Sequence, residues 1–535
     1  MKSKNVYLVA SGDLRLSANQ ECWAEQFSME KQLCAAAKKL GYNIIRAHKI
    51  DKKEKHGFIS SQRMGMEIFK KIPKDAPLIV AESVWQYTHH VFAGLTSHKG
   101  RILIAANWSP KWPGLVGALN LAGSLTKANI KYDMLWSENF DDKFFVENFK
   151  AWLEGKKVKY DTSHVHSFKS KSKKISKKIT DTAKKMAAEI LRDKLILGIF
   201  DEGCMGMHNA IIPEELLIPI GVFKERLSQS ALFYKMTQTS NAEAEAAYNW
   251  LIKNSMTFHF GKDPKKHLTK AQVLEQCKMY IAAARFFDEF GCDAIGIQYQ
   301  QGLKDTCAAS DLVEGLLNNS KRPPVKNKDG KIIRDGRPIT NFNEVDECAG
   351  LDGILTERVH RMLKQPSENT LHDIRWGGNL EVDGKEEFVW EFLISGGAPA
   401  EHHIGGYAGT HGWRQPPMYF PKGGATCSGV AKAGEIVWSR IYIGDGKLKM
   451  DIGRGRVPTL DSKVVQERLD ASTPQWPIMN AVLYGVSRDQ LMSKHKANHI
   501  QVAYATNAKK ADECMYLKAA LAEQLGISVN FCGDI

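Results

Sequence analysis

Residues 5–47 read NVYLVASGDLRLSANQECWAEQFSMEKQLCAAAKKLGYNIIRA and carry the pattern on which the fold depends. Val6–Ala10 is a short apolar run that predicts a strand, and Gly12 marks the turn after it. Apolar residues then recur at helical spacing over Trp23–Leu40. Tyr42–Ala47 predicts a second strand. A strand, a helix and a strand in such close succession predict a parallel pair joined by a crossover helix.

The same alternation continues through the first third of the chain. Two further strands are predicted at Pro77–Ala81 and Arg101–Ala106, and helices at Trp112–Leu125 and Phe144–Leu153. Strands alternating with helices predict a parallel sheet with helices on both faces, in which ligands bind beyond the carboxyl ends of the strands. We therefore expect a doubly wound N-terminal α/β domain over residues 1–165.

A second series of strands and helices is predicted after a Lys- and Ser-rich stretch. It supports a second doubly wound domain over residues 166–355, with the basic linker at its start. Its predicted strands and helices are Thr180–Leu191, Leu195–Phe200, Asn241–Lys253, Thr269–Phe290, Ala294–Gln298 and Leu312–Leu317.

The last third of the chain is rich in Gly, Trp and His and contains alternating apolar runs. These runs predict a β-rich, barrel-like C-terminal domain over residues 356–535. The predicted fold class is therefore α/β, with two doubly wound parallel-sheet domains followed by a β-rich domain. The alternating runs are Glu387–Ile394, Gly434–Ile443 and Leu448–Ile452, and they are followed by a predicted strand and helix at His499–Ala505 and Ala511–Leu525.

Composition places the chain among ordinary folded proteins. Its 535 residues are 43% hydrophobic and 25% charged, and at roughly 150 residues per domain the length suggests about three domains. None of the ten cysteines has C-x-x-C spacing, which argues against a zinc ribbon, a redox dithiol or a disulfide framework. The N-terminal apolar stretch is too short for a secretory signal, and no run is long enough to span a bilayer. We expect a cytoplasmic protein with no membrane partner.

Much of the formal net charge of +14 lies in one segment. Residues 169–185 read KSKSKKISKKITDTAKK. Such a run is usually a solvated face, and a polyanion site is the alternative. No zinc-finger spacing or aromatic RNA-binding motif accompanies it, so no nucleic-acid partner is predicted.

Carboxylates and histidines that could hold a metal occur in separate segments. Residues 343–353 read NEVDECAGLDG and contain Glu344, Asp346, Glu347 and Asp352. Asp373 follows in LHDIRWGG, and His495 and His499 occur in SKHKANHIQVAYA. Two carboxylates and an imidazole suit a hard or borderline divalent ion such as Mn²⁺, Mg²⁺ or Co²⁺. From spacing alone the metal signal is weak, because acidic residues are common near helix N-termini for purely electrostatic reasons.

Several segments, in order along the chain, resemble the L-fucose isomerase family, which is similar in architecture to L-arabinose isomerases. The chain looks like a divergent member. The segments are NWSPKWPGLVGALNLAG at 107–123, GIQYQQ at 296–301, SDLVEGLLNNS at 310–320, DECAGLDG at 346–353, HDIR at 372–375 and KANH at 496–499.

The resemblance implies a metal held by Glu347, Asp373 and His499, with the two carboxylates also transferring protons. His495, one helical turn before His499, is the competing ligand. The resemblance further implies that Gln298, Asn498, Trp85 and Arg15 contact the sugar. It implies a homo-oligomer, a trimer or hexamer, in which Trp85 reaches a neighbouring subunit's site.

The implied activity is a metal-dependent interconversion of an aldose and a ketose, such as L-fucose or D-arabinose, through an ene-diol. The implied metal is Mn²⁺, with Mg²⁺ or Co²⁺ as alternatives. Two departures leave other functions open: Cys348–Gly350 replace polar family residues, and Ala425 or Thr426 stands where the family has a tyrosine. Epimerisation or dehydration of a sugar derivative, an L-arabinose-type isomerase and a non-catalytic sugar-binding protein are the alternatives.

One histidine pair could form a second site. Glu401, His402 and His403 lie in GAPAEHHIGG and could bind another metal or line the pocket. A solvated loop is the simpler interpretation.

Overall fold

A computed structural model describes residues 4–534. It has a mixed α/β architecture with parallel sheets and a β-rich C-terminal region, which confirms that part of the prediction. The strands are β1 Asn5–Val9, β2 Asn43–Arg46, β3 Leu78–Glu82, β4 Ile102–Asn107, β5 Asp133–Ser137, β6 Val165–Ser167, β7 Leu195–Phe200, β8 Val222–Leu227, β9 Thr257–Phe258, β10 Ala294–Ile297, β11 Thr340–Asn341, β12 Asn369–Val382, β13 Lys385–Leu393, β14 His411–Gly412, β15 Gly434–Gly444, β16 Lys447–Val457, β17 Ile478–Leu483, β18 His499–Ala505 and β19 Ser528–Cys532.

The α-helices differ widely in length, from a single turn to more than six turns. They are α1 Leu16–Lys39, α2 Gln62–Phe69, α3 His89–Ser97, α4 Gly114–Lys127, α5 Lys143–Leu153, α6 Phe168–Lys171, α7 Lys177–Asp193, α8 Glu214–Leu217, α9 Gln229–Gln238, α10 Asn241–Lys253, α11 Lys270–Glu289, α12 Asp311–Leu317, α13 Glu347–Met362, α14 Ser462–Ala471, α15 Arg488–Lys494 and α16 Ala508–Gln524.

The first sheet is parallel, with strand order β2-β1-β3-β4-β5. Its strands β3 and β4 are buried along their whole length, because separate apolar clusters cover the two faces of the sheet. The strand order changes direction at β1, so the loops after β1 and β3 border a crevice at the carboxyl edge. Arg15 and Trp85 belong to those two loops.

The second sheet is also parallel, with order β11-β10-β7-β8. Gln298 and Gln300 follow β10, and a short turn over Asn343–Val345 follows β11 and leads into α13. The carboxyl ends of this sheet therefore supply a second set of polar side chains.

The C-terminal region is built on a mixed eight-stranded sheet with order β15-β18-β12-β13-β17-β16-β19-β6. Strand β15 pairs with β16 as well as with β18. Most of these pairings are antiparallel, and only β16 and β19 run parallel. The division into three domains and the barrel-like character stay predictions.

Two hairpins of this region end in Asp-Gly turns. Asp383 and Gly384 join β12 to β13, and Asp445 and Gly446 join β15 to β16, all four with positive φ. This conformation matches the right-handed twist of paired strands, and Asp-Gly between alternating apolar residues is a strong hairpin signal. Neither this turn signal nor the short elements α2, α3 and β5 were among the predictions from sequence.

The lysine-rich segment forms α6, a short turn and the start of α7. Helix α7 buries Ala183, Met186, Ala187 and Ile190, while its lysines face solvent. The exposure agrees with the interpretation as a solvated face, and the absence of a polyanion partner stays a prediction. Among residues 4–534, none of the helices has the length and apolar character needed to cross a membrane.

A buried ion pair ties α13 to α16 and β15. The carboxylate of Asp352 contacts the ammonium of Lys518, and both side chains are almost fully buried. Ser439 Oγ and the backbone N–H of Ile441 also donate to Asp352, at 2.7 and 2.9 Å. Every oxygen of this carboxylate is therefore satisfied, which is the condition under which a buried charge is tolerated.

We expect Asp352→Asn to lower the free energy of unfolding by about 3–5 kcal/mol, because it leaves the Lys518 ammonium buried without a counter-charge. The measurement is the urea concentration at half unfolding. Glu513→Gln, which removes a more exposed ion pair with Lys510 on α16, is the control and should cost about 1 kcal/mol or less. Equal midpoints for Asp352→Asn and the wild type would contradict the argument.

Candidate functional site

A pocket opens where the carboxyl edges of the two parallel sheets face the C-terminal sheet. Arg15 reaches it from the first sheet, Gln300 and Glu344 from the second, and Asp373 from β12. The pocket therefore lies at the strand ends where the fold class predicts a ligand.

Asp373 and His499 meet because their strands pair. They are directly opposite each other on the antiparallel strands β12 and β18. His499 Nε2 lies 3.4 Å from Asp373 Oδ1 and 3.6 Å from Glu344 Oε2. Both carboxylates line the pocket, while the imidazole is fully buried behind them. One nitrogen thus faces two carboxylate oxygens.

Glu344 owes its position to an unusual turn. Glu344 and Val345 both have positive φ, 59° and 55°. This conformation is rare for residues other than glycine, and unfavourable above all for a β-branched side chain. Each such residue costs on the order of 1–3 kcal/mol, and such strain is concentrated at functional sites. Ser395 Oγ donates to Glu344 Oε1 at 2.8 Å and holds the carboxylate at the pocket wall.

Asp346 fixes the orientation of His499. Its Oδ2 lies 2.6 Å from His499 Nδ1, and Arg440 donates to both of its oxygens at 2.7 and 3.1 Å. Burial would raise the pKa of Asp346, but Arg440 and His499 hold it well below its usual range. An ionised Asp346 accepts a hydrogen bond from His499 Nδ1–H. In that tautomer the lone pair of His499 is on Nε2 and faces the pocket.

His499 Nε2 is a buried atom with no hydrogen-bond partner among the described residues. Burial lowers the pKa of His499, but its hydrogen bond to Asp346 and the negative charges of Asp373, Asp346 and Glu344 raise it overall. A proton on Nε2 is therefore one way to satisfy the two carboxylates, and a cation is the other.

Asp373 is strongly affected by its surroundings. Its pKa is raised to about 7, chiefly by burial; the charge of His499 lowers this pKa and that of Glu344 raises it. Asn498 Nδ2 donates to Asp373 Oδ1 at 3.3 Å, and Asn498 Oδ1 is left without a partner among the described residues. Perturbed carboxyl groups in a pocket are candidates for proton transfer.

The structure does not bring Glu347 to this group. Glu347 is the first residue of α13, and its Oε2 contacts Lys224 Nζ and the backbone N–H of Ile212, both at 2.7 Å. Its predicted place beside Asp373 and His499 is taken by Glu344, three residues earlier. Glu344 belongs to the turn before α13 and Glu347 is the first residue of that helix, so the two side chains point in different directions.

Arg15 and Trp85 both line the pocket. Arg15 is held by Asp13 at 2.6 and 2.7 Å and donates to Gln300 Oε1 at 2.5 Å. Trp85 lines the pocket of its own chain, next to Met205 and Val116, and its Nε1 has no partner among the described residues.

Gln298 lies beneath the pocket rather than in it. It is fully buried, and its Oε1 accepts the backbone N–H of Gln300 at 3.1 Å. Gln300, two residues later in the same loop, is the amide that lines the pocket. The predicted sugar contact at Gln298 therefore stays a prediction, while Gln300 of the same loop is the glutamine that the structure places at the pocket wall.

The histidines considered as alternatives do not line the pocket. His495 lies beside His499 O, with 2.9 Å between its Nε2 and that oxygen. His402 and His403 are buried, not solvated as expected, and each contacts a protein oxygen.

Tyr419 and Arg375 also line the pocket and were not predicted as site residues. Tyr419 lines the pocket from the segment in which a family tyrosine was missing, and its ring lies 4.7 Å from the guanidinium carbon of Arg15. Ala425, in contrast, is buried against Gln276. Arg375 lines the wall and donates to the backbone oxygens of Pro110 and Lys111, which joins β12 to the loop after β4.

The chemical types of these donors suit a divalent cation. Their present positions do not form a complete coordination site: among residues 4–534, no group of three or more His, Cys, Asp and Glu side chains is arranged so that it could hold a metal ion. The buried, unpartnered His499 Nε2 between two carboxylates is nevertheless the chemistry that a hard or borderline ion requires.

Comparison with known proteins gives one finding. A family model described as L-fucose isomerase, C-terminal domain, matches residues 408–531, and no curated protein matches the chain. The matched segment includes Tyr419 and His499, while Glu344 and Asp373 lie before it. The match supports membership of this chain in the L-fucose isomerase family.

Proposed function

We propose that this chain is an aldose–ketose isomerase that requires a divalent cation and acts on a free sugar such as L-fucose or D-arabinose. The observation that carries the proposal is the pair of carboxylates, Glu344 and Asp373, that face one pocket across the same nitrogen of His499. The C-terminal family match supports it independently.

Glu344, Asp373 and His499 would hold the cation, which we propose to be Mn²⁺, with Mg²⁺ or Co²⁺ as alternatives. When bound, it would make a proton beside the sugar carbonyl more acidic and stabilise negative charge on oxygen. Asp346 would keep His499 in the tautomer that presents Nε2.

The proton transfer falls to the two carboxylates. One would remove the proton from C2 of the open-chain aldose and the other would return it at C1, through an ene-diol. A positioned acid or base contributes typically about 10²–10⁴-fold to the rate. The raised pKa of Asp373, about 7, shows how strongly the pocket perturbs this carboxyl group.

The remaining pocket residues would bind and orient the sugar. Arg15 and Gln300 offer polar groups, and Asn498 has a buried amide oxygen without a partner among the described residues. Trp85 and Tyr419 offer aromatic surface with polar tips. These groups are typical of a pocket for a small polyhydroxylated molecule.

Other reactions would use the same residues. Epimerisation or dehydration of a sugar derivative also begins with proton removal next to a carbonyl, and an L-arabinose-type isomerase differs only in the sugar. A non-catalytic sugar-binding protein is disfavoured because the perturbed carboxyl group of Asp373 faces the pocket beside Glu344. We further propose that the protein is a cytoplasmic homo-oligomer, a trimer or hexamer. Light scattering would measure the mass of the assembly.

We expect Glu344→Gln to lower the rate of ketose formation by at least about 10², because it removes a proton-transferring carboxylate. Glu347→Gln is the matched control, since its carboxylate faces Lys224, and its rate should stay within about threefold of the wild type. The assay is incubation with Mn²⁺ and a panel of aldoses, on variants shown to be folded by circular dichroism. An active Glu344→Gln beside an inactive Glu347→Gln would reverse the assignment.

Metal binding can be tested apart from activity. After removal of metal by EDTA, Mn²⁺ titration followed by electron paramagnetic resonance should show at least about tenfold weaker binding for His499→Gln than for the wild type. His166→Gln, on the distant strand β6, is the control and should bind as the wild type does. Equal affinities for all three proteins would exclude His499 as a ligand.

The reaction type can be read from the product. In D₂O, nuclear magnetic resonance of the wild-type reaction should show a ketose of unchanged composition with deuterium at C1. An epimer with deuterium at the inverted carbon, or a product that has lost water, would favour the alternatives. No product from any aldose with Mn²⁺ bound would rule out the free-sugar proposal.

A further inference from the structure

A second cavity lies at the opposite end of the parallel sheet that carries Glu344. Asp293 precedes β10 and Pro338 precedes β11, and both line it, so it opens at the amino ends of these strands. The last turns of α13 form another wall. Helix α13 spans 16 residues, roughly 24 Å at 1.5 Å per residue, so this cavity is remote from the isomerase pocket.

The cavity is lined by four arginines and only two carboxylates. The arginines are Arg334, Arg337, Arg358 and Arg361, and the acids are Asp293 and Glu357, which leaves a net charge of +2.

The two acids are already used by three of the arginines. Glu357 Oε1 accepts from Arg337 and Arg361 at 2.8 and 3.1 Å, and Asp293 Oδ1 accepts from Arg358 at 2.9 Å. Arg361 also has an ordinary structural explanation, since it lies in the last turn of α13, where a positive charge is favourable. That explanation does not extend to Arg334.

Arg334 comes from the loop before β11 and forms no ion pair with a described carboxylate. Its backbone has a φ of 50°, a conformation uncommon for a residue other than glycine. Its guanidinium stacks on Phe287, with 5.1 Å to the ring centre, at the cavity wall. Burial and the neighbouring charges of Arg337 and Arg358 lower its pKa.

Arg337 also has an unused hydrogen-bond donor. Its Nε is buried and has no hydrogen-bond partner among the described residues. Two guanidinium groups with donors to spare therefore face a small, positively charged space. An anion with several acceptor oxygens would satisfy both groups and relieve their mutual repulsion.

The volume of the cavity limits which ligands it can hold. The volume is about 200 Å³, many times the roughly 10–15 Å³ that a single water molecule requires. A phosphate group fits such a space, and arginine is the preferred residue for binding phosphate oxygens in pairs. A long polyanion does not fit inside it.

We propose that the cavity bounded by Arg334, Arg337, Arg358 and Arg361 is a binding site for a phosphate group, either as inorganic phosphate or as a small phosphate ester.

The test is calorimetric titration of the full-length protein with inorganic phosphate and, separately, with a hexose 6-phosphate. Ionic strength is held constant with chloride, and EDTA is present so that no cation attracts phosphate to the other pocket. We expect the wild type to bind at least one probe, and Arg334→Gln to bind it at least about tenfold more weakly. Tighter binding of the ester or of inorganic phosphate identifies the source.

Two further variants keep the result interpretable. Arg63→Gln removes a highly exposed arginine on α2 and should bind as the wild type does. Arg334→Glu places a carboxylate among the remaining arginines, so we expect its urea midpoint to be unchanged or higher and its phosphate binding to be lost. No binding to the wild type, or equal binding to the wild type and both Arg334 variants, would overturn the proposal.

Discussion

The carboxylate of Asp346 is the group on which the arrangement of the pocket depends. It caps the N-terminus of α13 through the backbone N–H of Ala349, pairs with Arg440 on β15 and holds His499 on β18. One side chain thus joins a helix of the parallel-sheet region to two strands of the C-terminal region. Because it is fully buried, its charge is tolerated only with all of these partners in place.

A second pair of acids lies on α12, the helix that follows the loop of Gln300. Asp311 and Glu314 are buried, and burial together with nearby carboxylates, including Glu344, raises the pKa of both well above the usual range. This shift favours the neutral form of the two acids, because burial disfavours a charged carboxylate.

Much of the fold could be predicted because it is encoded locally. The periodicity of Val6–Leu40 and the runs at Leu195–Phe200 and Asn241–Lys253 depend on neighbouring residues alone, and the structure has a strand or helix at each. The family resemblance was confirmed by the C-terminal match. Strand pairing across the C-terminal sheet was not predictable, since it joins segments far apart in the sequence.

The arrangement of the site was less predictable from sequence than the fold. The family resemblance pointed to the segments that hold Asp373, His499 and Arg15, but within NEVDECAGLDG it favoured Glu347 over Glu344. The choice depends on two consecutive residues with positive φ, and neither Glu nor Val signals such a turn. Likewise, Gln300 rather than Gln298 lines the pocket because of how one loop leaves β10. These are conformational details that residue type does not report.

The contact between Asp346 and His499 spans 153 positions of the chain. During synthesis, the strands and helices of both parallel sheets leave the ribosome well before β18, so Asp346 and Arg440 are made before the imidazole that they orient. Non-local contacts of this kind form late and slowly. The nascent chain must therefore carry the charges of Asp346 and Arg440 before His499 is present, and the pocket is completed only after β18 has been synthesised.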